Sequence, residues 1–226
     1  MALLVLLVSI ALSTLVSTLA GAVVLRSLGV GVPRIDLGVW GPKVRFAARG
    51  SDVSLTPWLI SGASTFKDVG NAERYADRPG TLFSAWSRPV RALVQLAGPA
   101  AVLAVACLFA GTEAVVAFGA GFRQVLIGAL HPLSTAQAYL SAFETGVVQS
   151  PVSSVGIALA KFAAFTMLPV PPLNGGQVFM DLCRPRDRAH GRIAAAAQRI
   201  GLIVVLAIVL LWLVAAGAWL ANGGAS

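Results

Sequence analysis

The chain has 226 residues, of which 57% are hydrophobic and 12% charged, with a mean hydropathy of +0.82. An average soluble domain carries about 25% charged residues, so this composition argues against a water-solvated globular protein and for one that lives in a membrane. The formal charge of +8 does not accompany any nucleic-acid-binding module; it fits basic loops lying against anionic lipid headgroups.

Four apolar segments read as transmembrane helices in chain order: Ala2 to Leu25, Ala92 to Thr112, Val152 to Val170 and Ile200 to Leu220. Each is close to the ~20 residues that cross a bilayer as helix. Ala20-Gly21-Ala22 would suit a signal-peptidase site, but no basic residue precedes the apolar run, so a retained first span is expected. Between the first two spans, Arg34 to Trp40, Lys43 to Phe46 and Val53 to Thr56 alternate apolar and polar residues, separated by Gly41-Pro42 and Gly50-Ser51-Asp52. That pattern predicts a small antiparallel sheet over about 33–60. Asp68 to Ser84 reads as an irregular loop, and Glu113 to Pro151 as a connection outside the membrane.

The stretch from Arg26 to Arg91 carries ten of the 17 basic residues, and Arg184, Arg186, Arg188, Arg192 and Arg199 follow the third span. Basic loops stay cytoplasmic, so both termini are expected outside a cell (inner) membrane. Cys107 and Cys183 are too few for a disulfide framework and read as free thiols. The expected fold is mainly α: one polytopic membrane domain over 1–226 with about four spans and a small cytoplasmic β element.

The most informative stretch is Thr166-Met167-Leu168-Pro169-Val170-Pro171-Pro172-Leu173-Asn174-Gly175-Gly176. It resembles the Asn-x-x-Pro-x-Pro-x-x-Leu-Asp-Gly-Gly signature of the site-2 proteases, intramembrane zinc metalloproteases. The family's His-Glu-x-x-His helix, in which two histidines one turn apart bind zinc and the Glu is general base, falls on Ser17-Thr18-Leu19-Ala20-Gly21, with Arg26 and Gly29-Val30 in register. Further likenesses are the Gly41-Pro42 hairpin, the run Pro57 to Ala63, Gly98-Pro99-Ala100-Ala101-Val102 in the second span, with Val102 for an Asn, and Gln198-Arg199-Ile200-Gly201. The stretch between Thr112 and Pro151 is too short for a PDZ-like insertion.

The resemblance implies a site-2-protease-like core. It also implies that the ligand positions are degenerate: Ser17, Thr18 and Gly21 replace His, Glu and His, Asn174 replaces the Asp ligand, and Thr166 the leading Asn. A hydroxyl, a glycine and a carboxamide are poor zinc ligands, so no metal, no cofactor and no catalysis are expected. Ser17, Thr18 and Gly21 then serve as small residues for close helix packing. His131 and His190 lie in loops expected on opposite sides of the membrane and cannot share a metal. Asp181, Cys183 and His190 read as a solvated basic loop rather than a metal site.

Lys161 is the one charge inside the four expected spans, where a lysine costs ~2.5–3.5 kcal/mol to insert. No Asp or Glu in those spans can pair with it. Its expected partner is a carboxylate of another subunit, a lipid headgroup, or carbonyls around the Pro motif; a Ser17–Lys161 dyad is a further arrangement. The expected role is binding: an accessory or scaffold subunit of a membrane complex that holds another protein's transmembrane segment at Lys161, Pro169, Pro171, Pro172, Gly175 and Gly176, with anionic lipids as further partners and no nucleic acid. The alternatives are an intramembrane protease with substituted catalytic residues and a transport-related subunit.

Overall fold

A chain in hydrocarbon finds no water for its N–H and C=O groups and must satisfy them internally, so its apolar runs fold as helices. The computed structural model describes residues 1–30, 32, 34–38, 41–48, 50–57, 59, 62–65, 86–183 and 192–224. In chain order these form α1 (Ala2–Ser27), β1 (Arg34–Leu37), β2 (Val44–Ala48), β3 (Ser51–Leu55), β4 (Gly62–Thr65), α2 (Arg88–Ala110), α3 (Thr112–Leu130), α4 (Thr135–Gln149), α5 (Pro151–Thr166), α6 (Asn174–Cys183) and α7 (Arg192–Ala221).

Among the described residues, four helices are long and apolar enough to cross a membrane: α1, α2, α3 and Ala195–Ala221 of α7. The count matches the expectation, but the set does not. The segment expected from Val152 to Val170 is helical only over the 16 residues of α5, about 24 Å of rise. Pro169 disfavours helical geometry in the residue before it, and the helix stops at Thr166. The segment expected as a connection outside the membrane, Glu113 to Pro151, is the helical pair α3–α4. Gly111, at φ 57, is the single residue between α2 and α3 and supplies the left-handed turn that a side chain would strain.

The centre of the bundle is α5, whose Ser154, Gly156, Ala158, Leu159, Ala160, Ala163 and Ala164 are buried. Small residues make this possible, because interfaces in lipid depend on close backbone approach. A Cβ on Gly156 would lie 2.7 Å from the Ala110 Cβ of α2, and one on Gly121 would lie 2.8 Å from the Ala164 Cβ. Ala114, Gly121 and Gly128 are all buried and recur every seven residues along α3, a spacing that keeps them on one helix face. Gly128 receives the indole of Trp212 from α7, and Trp212 Nε1 donates to the Val125 carbonyl at 3.0 Å. Glu113 at the start of α3 accepts a long 3.4 Å bond from Ser153 Oγ at the start of α5, so α3 and α5 run the same way with α2 antiparallel to both.

The sheet has the order β2-β3-β1-β4. It is mixed rather than antiparallel as expected: β2–β3 and β1–β4 are antiparallel, but β1 pairs with β3 in parallel, Ile35 opposite Val53. Alternation sets which face of a strand is buried, not the direction of its neighbour. Ile35, Leu37 and Val53 turn inward onto Ala22 and Leu25 of α1 and onto Val30 and Val32. The Arg26 guanidinium donates to Ser51 Oγ, which donates to the Val32 carbonyl, tying the sheet to the end of α1.

Candidate functional site

Pro99 lies inside α2. A proline has no N–H, so the carbonyl four residues earlier loses its helical partner. That carbonyl belongs to Gln95, and the Asn174 carboxamide supplies the missing donor: Nδ2 donates to Gln95 O at 2.9 Å. One turn along the same helix, Gly98 lies against Ser17, where an added Cβ would stand 3.2 Å from the Ser17 Cβ and 3.3 Å from the Ser17 carbonyl. The two sequence-distant halves of the motif, on α1 and at the start of α6, therefore meet on the Gln95–Gly98 turn of α2.

The Pro-rich turn between α5 and α6 is packed on its own backbone. Pro169, Pro171 and Pro172 lie in it, with Val170 N donating to Leu168 O at 2.7 Å and Leu173 N to Val170 O at 2.9 Å. A side chain on Gly175 would collide with the Met167 carbonyl, and one on Gly176 with the Val170–Pro171 peptide. The glycine pair is thus required for the first turn of α6 to fold back onto the turn that precedes it. Thr166 spends its hydroxyl on the Ala163 carbonyl at 2.9 Å. Beyond Asn174, α6 stays on α2: Asp181 pairs with Arg91 at 3.7 Å, and Arg88 Nη1 donates to Leu182 O at 3.2 Å.

The donor set at this place does not fit zinc. Ser17 Oγ donates to Thr14 O at 3.2 Å, and Asn174 turns its amide nitrogen, a donor and not a ligand, onto Gln95. Thr18 is buried, and a Cβ on Gly21 would meet nothing within 4 Å. Among the described residues no three His, Cys, Asp or Glu side chains gather into a group that could hold a metal. Asp181 faces Arg91; His190 lies outside the described residues. His131 caps the end of α3 and so belongs to the α3–α4 turn. Both cysteines are free thiols.

A family model, Peptidase family M50, matches residues 5–208. The chain belongs to that family, the site-2 proteases. No curated protein and no solved structure matches it. The M50 match covers α1 and the Pro-rich turn, so the positions compared above, from Ser17 to Asn174, all fall inside it. With four helices of spanning length, this M50 chain is a multi-pass membrane protein.

Lys161 sits inside the bundle, away from this turn. It lines a cavity of about 350 Å³ between α1, α3, α4, α5 and α7, alongside Leu6 and Ile10 of α1. Ser17 lies about two helical turns further along α1 and faces α2 at Gly98, so the Ser17–Lys161 dyad is not assembled. Sequence reasoning missed three participants. Gln95 is legible only once Pro99 is read as freeing the carbonyl four residues before it. Gln124 shares the Lys161 cavity but sits in a segment read as a loop. Gly121 becomes visible once the seven-residue spacing of Ala114, Gly121 and Gly128 is counted.

Proposed function

We propose that this M50-family chain is a non-catalytic membrane subunit that binds a transmembrane segment of another protein instead of cleaving it. The observation that carries the reading is the Asn174 Nδ2 contact to Gln95 O: the motif position that would hold metal is spent on repairing the α2 backbone. Ser17, bonded within its own helix turn, supports it, as a general base and metal ligands are what activate water in this chemistry. The scaffold that would receive a segment is retained. The Pro-rich turn is built tightly, and the sheet presents β2 as an edge strand with Val44 63% and Phe46 50% exposed. Among the described residues nothing pairs with the outer side of β2, and such an edge accepts an extended chain by strand addition. The basic loops would face the cytoplasm and anionic headgroups, with both termini outside.

The test is photocross-linking in native membranes from a reactive residue at position 46. The reading expects an intact membrane protein to be captured, with the same yield in wild type and Ser17→Ala. Recovery of a shortened product whose formation stops in Ser17→Ala or Asn174→Ala would establish the competing reading, a protease with substituted residues.

A further inference from the structure

The Lys161 cavity is not used by the function proposed above, and its chemistry is uneven. Its walls are aliphatic and aromatic, including Phe143 of α4, Phe165 of α5 and Trp212 of α7. Into these walls the fold places three polar side chains, Lys161, Gln124 and Tyr139, and no acidic residue. Gln124 Oε1 is buried with no hydrogen-bond partner. No ion pair or hydrogen bond to Lys161 occurs among the described residues. A buried cation must be compensated, and a buried acceptor left empty costs about 1–3 kcal/mol. An unpartnered lysine in an apolar cavity describes a ligand with an apolar body and a small anionic end.

Two kinds of occupant offer that end: the carboxylate of a partner's helix, or a small amphiphile. A helix is about 10–12 Å across with its side chains and would lie outside a 350 Å³ space, reaching Lys161 with a side chain only, whereas a slim molecule fits within it. A cavity near the lower end of the ~300–1,000 Å³ ligand range suits one slim molecule rather than a two-chain lipid. We propose that this cavity binds a single-chain amphiphile bearing one carboxylate, a long-chain fatty acid, with the carboxylate on Lys161 and the chain along Phe143, Phe165 and Trp212. A hydroxyl carried on the chain of such a ligand would also supply the donor that Gln124 Oε1 lacks.

Trp212 lines the cavity and reports on it. Full-length protein in nanodiscs, at mildly alkaline pH, is titrated with a brominated long-chain fatty acid, whose bromine quenches a neighbouring indole, and with its uncharged methyl ester. The acid should quench saturably, the ester about tenfold more weakly, as expected for one charge-assisted contact. The saturable component should vanish in Trp212→Phe, leaving the other four tryptophans to show only the unsaturable quenching of acid dissolved in the bilayer. Lys161→Met should bind acid and ester alike at the ester's affinity, while Lys161→Arg keeps the preference for acid. Equal binding of acid and ester to wild type, an unchanged preference in Lys161→Met, or saturable quenching that survives Trp212→Phe would overturn the proposal. So would a membrane protein that co-purifies with wild type and is lost in Lys161→Met while neither protein binds the acid; the occupant would then be a partner's carboxylate.

Discussion

Pro99 and Asn174 form a reciprocal pair. The proline withdraws a donor from Gln95 O, and the carboxamide restores one from a different helix. An ionised carboxylate can only accept, so Asn174→Asp, the change back to the family's ligand, sets two acceptors face to face. It should destabilise the protein by about 1–3 kcal/mol in thermal denaturation in detergent. Pro99→Ala returns the N–H to the helix, so the cost of Asn174→Asp should shrink in the Pro99→Ala background; equal costs in both would show that the pair is not coupled. A second residue-scale effect is acid sensitivity of the sheet. Burial pushes the Asp36 carboxyl up, but bonds from Ser54 and Arg34 and the charges of Arg34 and Lys43 outweigh it and hold it below the usual carboxylate range. The folded state therefore takes up its proton later than the unfolded one. The resulting stability is present above the ordinary carboxyl pKa of about 3.9 and is lost as pH falls through the lower folded value. Protection factors of the β1 and β3 amides, corrected for the intrinsic pH dependence of exchange, should fall on acidification in wild type and change less in Asp36→Asn.

α3 is the element that the sequence concealed, and it shows why the rest was legible. α1, α2 and α7 are long apolar runs, and the Pro and Gly residues of the α5–α6 turn announce themselves by type. α3 carries Glu113, Arg123 and Gln124 and is the least apolar of the four helices of spanning length. Its signal is the seven-residue recurrence of small residues rather than hydropathy, because what it must satisfy is close packing on α5 and α7. Asn174 was legible as a departure from a motif, but its pairing with Gln95 was not, since Pro99 marks the carbonyl it empties but nothing local names the distant donor that fills it. The parallel β1–β3 pairing was hidden for a similar reason, as pairing direction has no local code. The seam makes its own prediction. Gly121→Leu drives a side chain into Ala164 and the Lys161 backbone, and overpacking costs ~1–3 kcal/mol or more. The variant should lower the melting temperature well beyond Gly119→Leu, whose Cβ meets nothing within 4 Å. Similar losses at both positions would argue against the seam.

Across the whole molecule, the expected orientation, with the basic loops cytoplasmic, is open to a direct labelling test. On a background lacking Cys107 and Cys183, cysteines at positions 71 and 187 should be labelled only from the cytoplasm; labelling of either from outside would reverse the topology. The exposed aliphatic residues along α1 and α7, among them Leu4, Val23, Ile203 and Leu213, are the surface such a protein offers to lipid. The central claim is that an M50 fold has kept its scaffold while two of its ligand positions, Ser17 and Asn174, are turned to packing and backbone contacts on α2. The most direct test is the zinc content, per chain, of purified wild-type protein beside Asn174→Ala and Ser17→Ala. The account predicts no stoichiometric zinc in any of the three. One zinc per wild-type chain, falling in either variant, would contradict it.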